Sequence, residues 1–356
     1  MKKISVRLAA LALGLLLSLN LQAAPSLAAD GLRTLRGETI EGKVASVHGS
    51  IAVIASKKGQ VISPLALLDD DSLGKVADFL AAQPKTAPRW EGSTSVVAKG
   101  LNKRLVSLQG EKLVPLALGD RPEPEFYVAY CSAHWCPPCR KFTPELVAEY
   151  TKLQAKHPGV FELVFISSDE SARDQLKYAR EAEMPWPMVK YPAAGTVKTL
   201  EQWHGRGIPD LIVTNREGQV IFKSYQGEDY IGPRAVLASF SQLLTEIDPA
   251  NPNTRRARHR LEAIMHARSS ANAEISAKPY VIGLNPRRYQ TLSTREFTVK
   301  LKLDAAGKVQ QVVSTTPELA AVPNAQFLSD AAEWLFLPAA SNGRAKECTV
   351  ELPVKI

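Results

Sequence analysis

Hydrophobic and polar positions follow different patterns in three regions of the chain. Over residues 39–64, apolar positions recur every second residue in short stretches that are separated by turns. Continuous apolar runs replace this alternation at Phe126–Cys131 and Val160–Ile166, as is typical of strands buried on both faces of a parallel sheet. Strict alternation returns at residues 297–303 and 348–356. The pattern therefore predicts a multidomain chain with an α/β domain in its centre.

Helical spacing follows the buried runs of the central region. Apolar residues recur at intervals of three and four over residues 142–153, 172–183 and 236–247, and a helix is also predicted over 196–204. Two short strands at 210–223 are joined by a turn containing glycine. Strands that alternate with helices and end in a hairpin predict an α/β fold with a mixed sheet and flanking helices.

The region before the central domain predicts a small all-β module over residues 30–85. Its short alternating strands indicate a barrel, and the run Asp-Asp-Asp-Ser at residues 69–72 is expected to cap a short helix that follows them. Residues 83–88 are rich in Pro, Lys and Thr and predict a linker. The central domain is then predicted over residues 89–248.

The region after the central domain predicts a helix and a third module. A proline-rich break at 249–253 precedes a linker helix over 249–278, for which Thr254 is the predicted cap. Residues 279–356 combine alternating strands with a helix predicted over 325–336, which indicates a small α+β domain. The two outer modules are expected to influence where the protein acts, while the chemistry lies in the central domain.

Net charge adds little about function. The 356 residues carry a formal net charge of +8, and part of it is an arginine cluster on the predicted linker helix, Arg255, Arg256, Arg258 and Arg260. A solvated connecting helix is the preferred interpretation of this cluster, and an acidic partner or anionic lipid is the alternative. Nucleic-acid binding is not expected.

The first 29 residues predict a signal peptide. Lysines follow Met1, Leu8–Leu21 is a short apolar run, and small residues follow with plausible cleavage after Ala23 or within 26–29. The apolar run is short for a membrane span, although an uncleaved anchor is the alternative. We expect an exported protein, periplasmic or secreted, without stable membrane insertion.

Two cysteines stand at the end of the first buried strand, where a helix is predicted to begin. Cys136 and Cys139 are separated by Pro137 and Pro138, and proline suits a first helical turn because its φ is already helical. Unpaired N–H groups at a helix N-terminus stabilise a thiolate and lower the pKa of a cysteine placed there. The pattern favours reversible disulfide exchange, with Cys136 as the exposed nucleophile and Cys139 as the buried thiol.

Other chemistries for this pair are less well supported. A zinc site usually needs a second ligand pair, and a c-type haem site needs a histidine where Arg140 stands. A structural disulfide is the remaining alternative. A peroxidase would need another reactive cysteine, whereas Cys131 and Cys348 have the strand parity of packed core thiols. No metal and no cofactor are expected.

The run Trp135–Arg140, Trp-Cys-Pro-Pro-Cys-Arg, resembles the active site of the thioredoxin superfamily. With residues 141–146 it is similar to the tryparedoxin and nucleoredoxin branch, and the resemblance covers about residues 104–248. Pro144 matches the helix-kinking proline of that fold. Ile208 and Pro209 match its cis-proline, which implies a cis peptide bond beside the disulfide and, together with Trp135, a substrate-binding surface.

The resemblance also assigns supporting residues. Tyr130 stands at the position of thioredoxin's buried carboxylate, as it does in tryparedoxins, and is a candidate buried group near Cys139. His134 is a candidate for tuning the thiolate, with a solvent-facing side chain as the alternative. Pro137, Pro138 and Arg140 complete the supporting set. Ser168 departs from the tryparedoxin pattern, which has a tryptophan there, and the acidic residues Glu162, Asp169 and Glu170 are expected to be solvated.

The outer modules carry resemblances of their own. The order of strand, charged turn, strand, Pro-Leu and helix in residues 30–85 resembles the small Sla-one homology module. The segments 304–309, 331–339 and 342–344 resemble the C-terminal domain of TonB-type energy transducers. These resemblances imply binding or packing modules.

The combined expectation is an exported thiol–disulfide oxidoreductase that serves cell redox homeostasis. Its partners would be protein thiols and disulfides, with a redox donor or acceptor that the sequence does not identify. The alternative is a non-enzymatic envelope adaptor that uses a thioredoxin-like scaffold for binding.

Overall fold

The computed structural model describes residues 31–57, 59–83, 88–193, 200–203, 206–282, 296–315 and 324–355. The predicted signal peptide, residues 1–29, lies outside these ranges. The chain separates into two compact units, one formed by Met1–Gln83 together with Pro249–Ile356 and the other by Pro84–Asp248. Among the described residues, no helix is both long and apolar enough to cross a membrane.

The N-terminal part of the first unit consists of short antiparallel strands and one helix. Its elements are β1 (Gly31–Arg33), β2 (Thr39–Glu41), β3 (Lys43–His48), β4 (Ile51–Ser56), β5 (Gly59–Pro64), the 3₁₀ helix Leu65–Leu67 and α1 (Asp70–Ala81). The cap predicted within residues 69–72 is Asp69, whose carboxylate accepts the Ser72 N–H at 2.8 Å. The predicted barrel is not confirmed, because the strands of the described residues 31–57 and 59–83 do not form a closed sheet: β1 and β2 form one ribbon and β3, β4 and β5 form a separate three-stranded sheet.

The second unit is built on one seven-stranded sheet. Its elements are α2 (Val96–Leu101), β6 (Leu105–Gln109), β7 (Lys112–Pro115), β8 (Phe126–Ser132), α3 (Pro137–Lys156), β9 (Phe161–Ser167), α4 (Ala172–Glu181), β10 (Met188–Val189), the 3₁₀ helix Glu201–Trp203, β11 (Asp210–Asn215), β12 (Val220–Lys223), β13 (Tyr225–Gln226), β14 (Asp229–Tyr230) and α5 (Pro233–Ile247). The strand order is β12-β11-β8-β9-β10-β6-β7. β8 pairs parallel with β9 and antiparallel with β11, so the predicted α/β fold with a mixed sheet is confirmed.

Strand β8 is an inner strand of this sheet, between β11 and β9, and all seven of its residues are buried. Successive side chains of a strand point to opposite faces of the sheet. On one face Tyr127 packs against Trp90 and Trp203. On the other face Tyr130 packs edge-on against Phe142 of α3 at a centroid distance of 5.9 Å. Cores on both faces explain why β8 is a continuous apolar run.

Several short elements of this unit were not predicted. These are α2, which Ser95 caps through the Ala98 N–H, and the strands β10, β13 and β14, which have two residues each. Elements this short have no detectable period in the sequence. The helix predicted over 196–204 is present as the 3₁₀ turn Glu201–Trp203, and residues 196–199 and 204 lie outside the described ranges.

The C-terminal part of the first unit combines helices with short antiparallel strands. Its elements are α6 (Pro252–Arg268), β15 (Glu274–Ile275), β16 (Lys278–Val281), β17 (Glu296–Leu303), β18 (Val309–Thr315), α7 (Asn324–Ala332), β19 (Leu335–Leu337), β20 (Ala339–Ser341), β21 (Arg344–Lys346) and β22 (Cys348–Lys355). The long strands form the sheet β18-β17-β22, and a core of apolar side chains packs around Trp334.

Three details of this segment differ from the prediction. α7 ends at Ala332, and Phe336 belongs to β19, where its N–H donates to the Gly307 carbonyl at 2.8 Å. Asn251 rather than Thr254 caps α6, because Pro252 occupies the first helical position and leaves Asn251 to accept the Asn253 N–H at 3.0 Å. The Cys348 thiol is half-buried, not fully buried.

Helix α6 belongs to the core of the first unit and is not a solvated connector. Leu261 is fully buried in a cluster with Leu32, Leu65 and other apolar residues of the N-terminal strands. His259 contacts the C-terminal strands, because its Nε2 lies 2.7 Å from the carbonyl oxygen of Phe336 in β19. Arg260 forms an ion pair with Asp70. The helix therefore joins the N-terminal and C-terminal parts of this unit.

Candidate active site

The structure joins Cys136 and Cys139 in a disulfide with a Cα–Cα distance of 5.2 Å. The bond lies where β8 has ended and α3 begins. Cys136 is the N-cap of α3, and its Sγ lies 3.3 Å from the Cys139 backbone N–H that points at it. Pro137 and Pro138 occupy the first helical positions, as predicted. After reduction, the N–H groups of this first turn would favour the thiolate form of Cys136.

Both sulfur-bearing residues are buried in the disulfide form. Cys136 is 3% exposed and Cys139 is 0% exposed. In this oxidised state Cys136 is not exposed, because Ala133 and Ile208 pack against the pair. An exposed Cys136 thiol in the reduced protein stays a prediction. Of the two residues, Cys136 has the larger exposed fraction.

The segment before β11 lies beside the disulfide. The Ile208–Pro209 peptide bond is cis, as predicted. The Ile208 carbonyl oxygen is 3.9 Å from the Cys136 Sγ. Trp135, directly before Cys136, has an exposed side chain with 58% of the residue accessible. Its indole N–H donates to the Ser168 carbonyl at 3.2 Å. A second cis bond, Tyr191–Pro192, was not predicted.

A network of buried hydroxyl groups lies beneath Cys139. Thr143 donates to the Cys139 carbonyl at 2.9 Å, and its Oγ1 lies 2.8 Å from the Tyr130 hydroxyl and 2.5 Å from the Tyr178 hydroxyl. Ser132 Oγ continues the network at 3.0 Å from Tyr178. Burial raises the pKa of Tyr130 far above its usual value, so this phenol stays protonated. The network therefore holds the first turn of α3 with neutral groups.

Tyr130 was the only member of this network that the sequence identified. Thr143 lies one helical turn after Cys139, so the i, i+4 spacing from Cys139 is a signal that was available for it. Tyr178 comes from α4, and no local pattern in the sequence brings it to Cys139. Ser132 immediately follows Cys131 on β8 and has no distinguishing motif.

His134 interacts with acidic residues rather than with the solvent alone. Its Nε2 lies 2.8 Å from Glu181 Oε2, and its backbone N–H donates to Asp169 Oδ1 at 2.7 Å. The hydrogen bond from His134 lowers the pKa of Glu181 below its usual value. Asp169 also accepts the Ser167 hydroxyl at 2.7 Å and is buried, so the expectation that it is solvated is wrong.

The remaining predicted residues divide between surface and interior. Arg140 and Glu170 are exposed, and Pro137 and Pro138 are exposed at the helix start. Glu162 is only partly exposed, which corrects the expectation of a solvated side chain, and it accepts the Tyr150 hydroxyl at 2.8 Å. Burial raises the pKa of Glu162 to about 7.

Asp210 is a buried acid that the sequence did not single out. It follows Pro209 directly, opens β11 and pairs with Cys131 of β8. Its side chain is 0% exposed, and neither carboxylate oxygen has a partner in hydrogen-bonding geometry among the described residues. Burial raises the pKa of Asp210, and the nearby Ser224 hydroxyl and Lys223 charge offset only part of that rise.

We expect Asp210→Asn to stabilise the second unit at neutral pH. Because the folded-state pKa of Asp210 is raised, the carboxyl ionises more readily in the unfolded chain, and wild-type stability falls as pH rises above about 3.8. The variant avoids a buried unpaired charge, so its free energy of unfolding should exceed that of wild type by about 1–3 kcal/mol at pH 8 and by less at pH 4. Denaturant unfolding at both pH values checks this, with Glu170→Gln as the exposed control. An equal gain at both pH values would contradict the assigned cause.

A family model described as thioredoxin-like matches residues 125–220. Nucleoredoxin from Mus musculus is 44% identical over 94 residues, which are 26% of this chain and 21% of that protein. Probable nucleoredoxin 3 from Oryza sativa subsp. japonica is 36% identical over 91 residues, 26% of this chain and 19% of that protein. The chain thus spans about a fifth of the length of these curated relatives.

Solved structures give matches over the same region. Tryparedoxin II from C. fasciculata is 27% identical, with 42% of this chain and 94% of that chain covered and a TM-score of 0.32. Thioredoxin from Wuchereria bancrofti is 33% identical, with 34% of this chain and 83% of that chain covered and a TM-score of 0.27. The sequence matches establish a thioredoxin-like domain in the centre of the chain, with nucleoredoxins among its relatives.

Proposed function

From a thioredoxin-like domain that contains this disulfide, we propose that the protein is an exported thiol–disulfide oxidoreductase acting on protein partners. One observation carries the proposal. The Cys136–Cys139 disulfide spans the N-terminus of α3, and the backbone carbonyl of Ile208 lies 3.9 Å from the Cys136 Sγ. A partner polypeptide bonded to Cys136 would have backbone groups to pair with at that point.

The proposed exchange proceeds in two steps that conserve electrons. The Cys136 thiolate attacks one sulfur of a partner disulfide, forms a mixed disulfide and releases the other partner sulfur, which takes up a proton. Cys139 then loses its proton and attacks the Cys136 Sγ, which restores the Cys136–Cys139 bond and releases the second partner thiol. The partner gains two electrons and two protons, and the cysteine pair loses them. The reverse sequence oxidises a partner dithiol.

The surrounding residues serve these steps by position. The N–H groups of the α3 first turn stabilise negative charge on Cys136. The Thr143 hydroxyl donates to the Cys139 carbonyl and so helps to hold the helical turn that carries the second sulfur. Ile208 and Pro209 present backbone beside Cys136, and Trp135 presents an exposed aromatic face to the partner.

Export and targeting are part of the proposal. The signal-peptide pattern of residues 1–29 supports a periplasmic or extracellular location, where protein disulfides form and persist. The resemblances of the outer segments to binding modules support a role for the first unit in choosing the site of action.

Reduction of insulin disulfides by the full chain tests the proposed activity. With dithiothreitol as the electron source, micromolar protein should accelerate insulin precipitation well above the rate with dithiothreitol alone, because the thiolate at a helix N-terminus reacts faster than an ordinary thiol at neutral pH. A rate equal to that of dithiothreitol alone would favour the alternative of a binding adaptor.

A further inference from the structure

The short hairpin of β13 and β14 folds back over the segment that lies beside the disulfide. Its base is fixed to the sheet, because the Ser224 N–H donates to the Leu211 carbonyl at 3.1 Å and Ser224 Oγ accepts the Leu211 N–H at 2.8 Å. Tyr225 and Tyr230 stand opposite each other in the hairpin, with ring centroids 4.8 Å apart.

Contacts from the hairpin reach three of the four residues in segment 206–209. The Tyr230 hydroxyl donates to the Pro209 carbonyl at 2.7 Å. Arg206 Nη1 donates to the Gly227 carbonyl at the hairpin turn, at 2.9 Å. Gly207 faces the Tyr225 hydroxyl so closely that a Cβ on residue 207 would lie 2.6 Å from it. The remaining residue, Ile208, is the one whose carbonyl lies at the Cys136 sulfur.

This arrangement fixes the backbone at the point where exchange with a partner would occur. A loop of four residues has many accessible backbone conformations, and each contact removes some of them before a partner arrives. Pre-organisation of this kind lowers the free-energy cost of pairing with an extended polypeptide. A small disulfide has no backbone to pair with the segment and meets only the sulfur of Cys136.

We propose that the β13–β14 hairpin holds the backbone of segment 206–209 in place, a role that we call a bracket. Tyr230 is then a positioning residue for exchange with polypeptide disulfides. The inference rests on the proposed exchange activity and adds to it a means of preferring polypeptides over small disulfides. Tyr230 acts through the backbone of Pro209 and does not touch the reacting sulfurs in this arrangement.

Tyr230→Phe tests the bracket by removing one hydroxyl. Loss of a single hydrogen bond of this kind corresponds to about a three- to tenfold decrease in kcat/KM with a disulfide-bonded peptide, expressed mainly as a higher KM. The rate with dithiobis-nitrobenzoate, a small disulfide, and the reduction potential of the Cys136–Cys139 pair should stay at wild-type values. Tyr191→Phe is the matched control, because the Tyr191 hydroxyl also donates to a backbone carbonyl, that of Glu170 at 2.8 Å.

Gly207→Ala provides a second, independent test with a built-in rescue. The added methyl group would meet the Tyr225 hydroxyl, so the segment should shift away from the hairpin and peptide exchange should fall as it does in Tyr230→Phe. In the double variant with Tyr225→Phe, the next ring atom is 3.8 Å from the added Cβ, which is an ordinary contact, and peptide exchange should recover.

Amide hydrogen exchange separates failure of the bracket from failure of the proposed function. Amides of residues 206–208, 210 and 211 should exchange faster in Tyr230→Phe and in Gly207→Ala than in wild type or Tyr191→Phe. Unchanged amide exchange, or equal losses with the peptide and the small disulfide, would overturn the bracket. If wild type catalyses neither reaction while the amide changes occur, the proposed function fails and the bracket stands as a structural feature only.

Discussion

Replacing Cys136 by serine is expected to lower the observed rate of insulin reduction to that of dithiothreitol alone. The part of the rate that the protein catalyses should fall by about 10³-fold or more. The substitution removes the nucleophile, and the serine hydroxyl does not ionise near neutral pH at this helix N-terminus. Cys348→Ser is the matched control, since it removes a half-buried thiol from the other unit and should leave the rate unchanged.

Cys139→Ser is expected to stop turnover at a different stage. Cys136 can still attack a partner disulfide, but no second thiol releases the mixed disulfide, so the protein should accumulate covalently bound to its partner. Non-reducing electrophoresis and peptide mapping would locate the bond at Cys136. Accumulation of the adduct in Cys136→Ser instead, with the bond on Cys139, would reverse the assigned roles.

Leu261→Ala is expected to destabilise the first unit by about 2–5 kcal/mol, because it deletes a fully buried leucine side chain from the core that α6 shares with the N-terminal strands. Thermal unfolding should show an earlier transition for this unit, while insulin reduction below that temperature keeps its wild-type rate. Arg255→Ala, at an exposed position of the same helix, should leave both unchanged. A parallel loss of exchange activity in Leu261→Ala would show that the chemistry depends on the first unit.

Local sequence patterns and the backbone preferences of single residues predicted those site residues that are close to one another in the sequence. The strand β8, the start of α3 and the positions of Pro137 and Pro138 follow from an apolar run and from the backbone preference of proline. The position of Pro209 beside Cys136 came from the family resemblance, since 73 residues separate the two in sequence.

The rest of the site depends on contacts between distant residues. Tyr178 reaches Thr143 from α4, His134 meets Glu181 across 47 positions, and Asp210 is buried because β11 pairs with β8. A polar residue in these positions has the same local sequence signature as a solvated one. Only the assembled sheet shows which side chains are removed from water.

The misjudged helix α6 illustrates the same limit. Its first turns are rich in arginine, which indicates a solvated surface. Its buried residues are Thr254, His259, Leu261, Ala263 and Ala267. The long arginine stems place their charged ends where they can pair, as Arg258 does with Glu262 at 2.8 Å. A buried face with one large apolar side chain among small and polar ones gives a weak periodic signal, so its burial was not predicted.

The reduction potential of the Cys136–Cys139 pair is the most direct test of the central claim that this disulfide is redox-active. The full chain would be equilibrated in buffers of graded reduced and oxidised glutathione or dithiothreitol, trapped by alkylation, and scored for free Cys136 and Cys139 by mass spectrometry. We predict a reversible two-electron transition between about −270 and −120 mV, the range of thiol–disulfide oxidoreductases. A pair that stays oxidised below about −300 mV would be a structural disulfide and would contradict the proposed function.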